Sequence, residues 1–121
     1  MNNKRTLVVG ASENEERYSN KAVKLLRAYN HDVVALGVKS GRIDSVQIAT
    51  TIDPSEKFDT VTMYVNPSLQ EGYYKQILDL KPNRVIFNPG TENPEFEKLL
   101  KDSNIEPIEA CTLVMLRTNQ F

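Results

Sequence analysis

Residues 7–26 read LVVGASENEERYSNKAVKLL, and this stretch decides the fold. Leu7-Val8-Val9 is a short apolar, β-branched run that stops at Gly10, a strand followed by a turn. A polar loop follows, and Ser19 stands where a helix could be capped. Ala22, Val23, Leu25, Leu26 and Tyr29 then recur at helical rather than alternating spacing. The unit is strand, tight turn and amphipathic helix.

The rest of the chain repeats it. Val33-Val34-Ala35-Leu36 is a second apolar run, ending in the loop Gly37-Val38-Lys39-Ser40-Gly41-Arg42. Val46 and Ile48 alternate with polar residues, which suits a short exposed strand. Val61 to Val65 predicts a third strand, stopped by Asn66-Pro67. Ser68 and Glu71 have capping-box spacing and open a helix through Leu80, which Lys81-Pro82-Asn83 ends. Val85-Ile86-Phe87 predicts a fourth strand, followed by Asn88-Pro89-Gly90-Thr91. Asn93-Pro94 reads as an N-cap and first helical residue, and that helix carries Phe96, Leu99 and Leu100. Ile105 to Ile108 predicts a fifth strand, and Leu113 to Leu116 is a last apolar segment that fits either type. Strands that are nearly continuous apolar runs are buried on both faces, as in a parallel sheet covered by helices. The expectation is an α/β fold with a mainly parallel, doubly wound sheet of about five strands, in a single domain over residues 1–121. Ligands of such sheets sit outside the carboxyl ends of the strands, near the switch in strand order. That singles out loops 10–19, 37–42, 65–68 and 88–93.

Composition narrows the function classes. At 121 residues, 40% hydrophobic and 26% charged, the chain has one ordinary globular core's worth of sequence. It has no room for a cofactor domain plus a substrate domain, or for a barrel of roughly 250 residues. Lys plus Arg total 15 against 16 Asp plus Glu, a net charge of −1. So weak a field suits neither a general nucleic-acid binder nor an anionic-membrane binder, while a local basic pocket stays compatible with it. Cys111 is the single cysteine, so no intrachain disulfide forms. The opening MNNKRTLVVGAS has a charge and a short apolar run that breaks at Gly10, which predicts neither a signal peptide nor a membrane span. A reducing, cytoplasmic setting is the expectation.

The loops carry the candidate chemistry. Gly10-Ala11-Ser12 can bring backbone N–H groups to a phosphate beside the positive end of the next helix, although the full dinucleotide glycine pattern is absent. An ordinary strand-to-loop turn reads the same way. NAD-binding sheets usually place Asp or Glu after the second strand, to accept from a ribose hydroxyl. Here Lys39 and Arg42 stand there instead, which favours a nucleotide with an extra ribose phosphate, or else marks two solvated loop charges. Val65-Asn66-Pro67-Ser68 and Asn88-Pro89-Gly90-Thr91 could line a groove for an adenine or a pantetheine chain, or be plain turns. Tyr18, with Ser19 beside it, could stack on a base or simply pack over the sheet edge. Tyr64, Tyr73 and Tyr74 read as core or helix-face residues.

No catalytic group stands out. His31, the single histidine, precedes the second strand at the far end of the sheet. Cys111 lacks a histidine partner and reads as a small buried residue at the end of the fifth strand. One His and one Cys do not make a zinc site, and no GxxxxGK[ST] loop is present. Glu13, Glu15 and Glu16 read as a solvated acidic loop, with only Glu92 as a distant partner for a metal.

The run Gly10-Ala11-Ser12, an acidic loop, Arg17-Tyr18-Ser19 and a helix resembles the start of the small stand-alone CoA-binding proteins. These are Rossmann-like three-layer domains, related to the CoA-binding domain of the succinyl-CoA synthetase alpha chain. The resemblance spans residues 5 to 117. Lys39 matches the lysine after the family's second strand, but Gly37-Val38 replaces its Asn-Pro pair. Val65 and Pro67 match the third-strand end. Asn88-Pro89-Gly90 stands where many members read Gln-x-Gly, and the run from Glu109 to Met115 resembles the Asp-Arg-Cys closing segment. The resemblance implies coenzyme A or acyl-CoA as ligand. The implied site is Gly10, Ala11, Ser12, Arg17, Tyr18, Ser19, Lys39, Val65, Asn66, Pro67, Asn88, Pro89 and Gly90, with no catalytic or metal residues. The expected role is a non-catalytic binding or regulatory module, in a size class where homodimers are common. Two other readings stay open: an NADP-type oxidoreductase component, and a degenerate Rossmann-like domain that acts through protein partners.

Overall fold

The first apolar run becomes β1 (Thr6–Val9), and all four of its residues are buried. It is buried because it lies at the centre of a sheet with helices on both faces, as the computed structural model describes for residues 3–121. Met1 and Asn2, which the single-domain expectation included, lie outside the described residues. The other strands are β2 (Val33–Leu36), β3 (Gly41–Ile43), β4 (Val46–Ala49), β5 (Thr60–Met63), β6 (Arg84–Phe87) and β7 (Glu106–Glu109). Their order across the sheet is β3-β4-β2-β1-β5-β6-β7. Every pairing is parallel except β3 with β4.

The α/β, mainly parallel, Rossmann-like architecture is as expected, but the sheet has seven strands rather than five. The addition is a hairpin. Gly41–Ile43, expected as the end of a loop, pairs antiparallel with Val46–Ala49 across Asp44 and Ser45, and Asp44 takes φ 52°. β4, expected as an exposed strand, pairs with β2, and Ile43 and Ile48 are buried in the core. Burial of those two side chains holds a three-residue strand that its own sequence would not support.

Alternation along the strands divides the core. Leu7, Val9, Val61 and Met63 face one layer, with Ile77, Leu80, Phe96 and Leu100 of α2 (Glu71–Leu80) and α3 (Pro94–Asp102). Val8, Ala35 and Ile86 face the other, with Val23 and Leu26 of α1 (Tyr18–Ala28) and Leu116 of α4 (Thr112–Arg117). The undetermined last segment is therefore a helix. Phe96 meets Phe87 edge-on at 5.8 Å and stacks on Tyr74 at 4.2 Å, an arrangement that contributes beyond simple area burial.

The helix ends show which local signals carried through. Asn93 caps α3 as expected, its Oδ1 accepting from the Phe96 N–H at 3.1 Å. α1 and α3 both stop at a left-handed asparagine, Asn30 and Asn104. After each, the next N–H returns to the carbonyl five residues back, His31 to Leu26 and Ile105 to Leu100. Two expected caps are replaced. Ser19 is buried inside the first turn of α1, where Arg17 is the N-cap and makes no side-chain cap bond. Ser68 does not open α2: the Asn66 Oδ1 accepts from the Ser68 N–H and hydroxyl, shaping a single 3-10 turn over Pro67–Leu69 that precedes the helix. Asn66 wins because an Asx turn followed by proline is already formed two residues upstream.

Candidate functional site

The chain runs outward from β1 through β2 and the hairpin, then returns to β5 on the other side of β1. This switch in order leaves a crevice at the carboxyl ends of β1, β2 and β5. A cleft of about 790 Å³ occupies it.

Two glycines set the approach of its walls. Gly10 has φ 96°, and a β-carbon there would stand 3.1 Å from the Tyr64 backbone and the Val65 side chain. Gly37 has no such backbone demand, yet a β-carbon on it would lie 2.6 Å from the Ala11 carbonyl oxygen. The Gly10-Ala11 turn is thus wedged between the β2 and β5 loops with no space for a side chain. The N–H groups of Gly10 and Ala11 both donate to the Leu36 carbonyl at 2.9 Å, which fixes the turn.

The following loop is shaped by its own polar side chains. The Ser12 Oγ accepts from the Asn14 N–H, the Asn14 Oδ1 accepts from the Glu16 N–H, and Asn20 donates to the Ser12 carbonyl at 2.9 Å. Among the described residues, the N–H groups of Ser12 and Glu13, and of Tyr18 and Ser19 at the start of α1, reach no acceptor. Such donors beside a helix N-terminus suit an anion. Arg17 and Lys39 line the same cleft, and among the described residues neither side chain has a hydrogen-bond or ion-pair partner. The acidic loop is less uniform than expected. Glu15 pairs with Lys24 at the surface, whereas the Glu13 Oε2 accepts from the Arg42 N–H at 3.0 Å.

The cleft therefore gathers Gly10, Ala11, Ser12, Arg17, Lys39, Val65 and Asn66. Tyr18, Ser19, Pro67, Asn88, Pro89 and Gly90 do not line it. Tyr18 points to solvent, with the Lys21 ammonium 5.3 Å from its ring. Asn88 is buried and fully engaged: it donates to the Thr62 hydroxyl and the Met63 carbonyl and accepts from the Thr112 N–H, all within 2.9 Å. Gln70, whose side chain is completely buried, donates to the Val65 and Thr91 carbonyls at 2.8 Å and so ties the β5 and β6 loops together.

The apolar wall comes from residues read as core or left unmarked in the sequence: Val38, Ile48, Tyr64, Leu69 and Tyr73. Val38 and Leu69 are exposed at 86% and 67%, so the mouth of the cleft is apolar on two sides. Among the described residues the buried Tyr64 hydroxyl makes no well-aligned hydrogen bond; burial, aided by Cys111 and opposed by the nearby Thr62 and Thr112 hydroxyls, pushes its pKa up, so the phenol stays neutral.

His31 is buried at the opposite end of the sheet, its Nδ1 accepting from the Lys4 N–H at 2.9 Å. Cys111 is half-buried at the start of α4 rather than buried at a strand end, because β7 runs on to Glu109 and the chain then turns into the helix. Among the described residues, no group of three or more His, Cys, Asp or Glu could hold a metal ion, and no helix is long and apolar enough to cross a membrane.

The chain is similar to known proteins over nearly its whole length. The model of the CoA binding domain family matches residues 4–117. A crystal structure of an uncharacterized protein is similar at 43% identity and TM-score 0.95, with both chains covered in full. Two more distant structures share the fold. One is cell-free ID.343 from Thermus thermophilus, at 24% identity and TM-score 0.86, covering 98% of this chain and 91% of that one. The other is a hypothetical protein from Pyrococcus horikoshii OT3, at 24% identity and TM-score 0.87, covering 96% and 83%. No curated protein matches.

Proposed function

Because the chain belongs to the CoA binding domain family, we propose that it binds coenzyme A or an acyl-CoA in the cleft between the β1, β2 and β5 ends, as a binding or regulatory module. One observation carries the reading: Arg17 and Lys39, two cations with no partner among the described residues, flank a loop in which the Ser12 and Glu13 N–H groups reach no acceptor, in one cleft with an apolar wall. Coenzyme A has matching parts. Its diphosphate suits the Ser12 and Glu13 N–H groups, the α1 N-terminus and Arg17. Its ribose 3′-phosphate suits Lys39, and its pantetheine chain suits the wall of Val38, Leu69 and Tyr73.

Thermal unfolding with ligand tests this. Coenzyme A at about 100 times its Kd stabilises the native state by about 2.7 kcal/mol and raises Tm by several degrees. Lys39→Ala weakens coenzyme A by about 10-fold or more while leaving 3′-dephospho-CoA nearly unchanged. Equal losses for both ligands would remove Lys39 from the phosphate site, and a shift with NADPH but none with coenzyme A would overturn the proposal.

A further inference from the structure

The β2 end carries no acid of its own, since Gly37-Val38-Lys39-Ser40 follows Leu36 directly. A carboxylate nevertheless reaches this region from the first loop. Glu13 lies flat on Gly41, where a β-carbon would stand 2.5 Å from its Cδ and 2.8 Å from its Oε1. A β-carbon at 41 would therefore push aside the end of this flexible, exposed side chain. Oε2 is held by the Arg42 N–H at 3.0 Å, while Oε1 has no hydrogen-bond partner among the described residues. Glu13 lines the same cleft as Ser12 and Lys39. One carboxylate oxygen is thus anchored and the other has no partner among the described residues, at the start of β3 on the carboxyl edge of the sheet, five residues past the β2 end where nucleotide-binding sheets keep their ribose acceptor.

We propose that Glu13 is a specificity residue, whose Oε1 accepts a hydrogen bond from a free ribose hydroxyl while Lys39 takes the phosphate on the same sugar. The inference rests on the nucleotide reading above and refines it. A carboxylate repels a phosphate and accepts from a hydroxyl, so the pair selects a ribose phosphorylated on one oxygen and free on the other. For coenzyme A the free group is the 2′-hydroxyl.

The test compares coenzyme A with its 2′-deoxy analogue, which keeps the 3′-phosphate, by isothermal titration. The wild-type protein loses about 10-fold or more in affinity when the hydroxyl is absent. In Glu13→Ala the two ligands bind alike. Gly41→Ala keeps the charge but moves the carboxylate, and it narrows the discrimination as well; unfolding of each apo variant checks that the fold persists. Equal wild-type affinity for both ligands, or a discrimination that survives Glu13→Ala, overturns the role of Glu13 and leaves the coenzyme A reading standing. A wild-type protein that binds neither overturns both.

Discussion

At the amino end of the sheet, the Lys4 ammonium donates to the Phe121 carbonyl at 2.7 Å, and the Arg84 guanidinium lies 4.6 Å from the Phe121 ring and donates to the Thr60 hydroxyl. Arg5 there holds the Lys57 carbonyl and the Glu56 carboxylate and covers the Phe58 ring. At the carboxyl end, Arg17 and Lys39 touch no such partner among the described residues. The same residue types thus serve two purposes. Cations at one end brace the strand starts and the C-terminal residue. Cations at the other stay available, where the loop beyond the Gly10-Ala11 turn leaves the Ser12 and Glu13 N–H groups with no acceptor among the described residues.

The sharpest way to break this contrast is to remove both free cations. Arg17→Ala with Lys39→Ala lowers affinity for coenzyme A by about 100-fold or more, since each charged contact contributes about 1.5–3 kcal/mol. The Tm of the apo protein stays where it was, because neither side chain holds another residue. A large fall in apo Tm would show that these cations brace the fold after all.

A smaller effect separates brace from binder within the carboxyl end itself. Asn88 stands beside the cleft in sequence terms, but its amide is consumed by Thr62, Met63 and Thr112. Asn88→Ala leaves the buried Thr112 N–H and Met63 carbonyl unsatisfied and costs about 1–3 kcal/mol of stability. Affinity for coenzyme A, titrated well below the lowered Tm, stays close to wild type. A loss of affinity as large as that of the double cation variant would return Asn88 to the ligand.

What could be read in advance was local. The Leu7-Val8-Val9-Gly10 run and the Asn93-Pro94 cap are decided by residues within a few positions of each other, and both formed as the sequence indicated. β3 was not legible, because a three-residue strand exists only through Ile48 on its partner strand and the core beneath. Gly37 gave no warning either: its reason is the Ala11 carbonyl, a contact between loops that are far apart in the chain. Tyr64 and Tyr73 looked like ordinary packing residues because nothing local marks a side chain as lining a crevice. Glu13 was submerged in an acidic cluster, and only the fold separates it from Glu15. Local propensity therefore drew the scaffold, and the site arises where loops from distant strands meet.

The smallest expected effect tests the amino end through pH. His31 is the one histidine in the chain, so comparing the wild type with a His31 variant between pH 7 and pH 5 reads its titration apart from that of the carboxylates. Its Nδ1 accepts from the Lys4 N–H, and its ring packs 4.9 Å from that of Phe121. The hydrogen bond requires Nδ1 to be unprotonated. Burial, together with the charges of Lys4 and Arg84 and against the opposing pull of Asp59, holds its pKa below the ordinary value of 6.5. The unfolded chain therefore takes up a proton first as pH falls, and stability must fall with it. That contribution is complete above the unfolded pKa and is lost as pH drops through the folded one. In the wild-type protein, Tm falls from pH 7 to pH 5. His31→Gln, whose amide oxygen can still accept from Lys4, flattens the slope without changing affinity for coenzyme A at pH 7. Parallel slopes in the two proteins would mean that His31 titrates alike in both states, and the amino end would then hold its cations without needing a neutral imidazole between them.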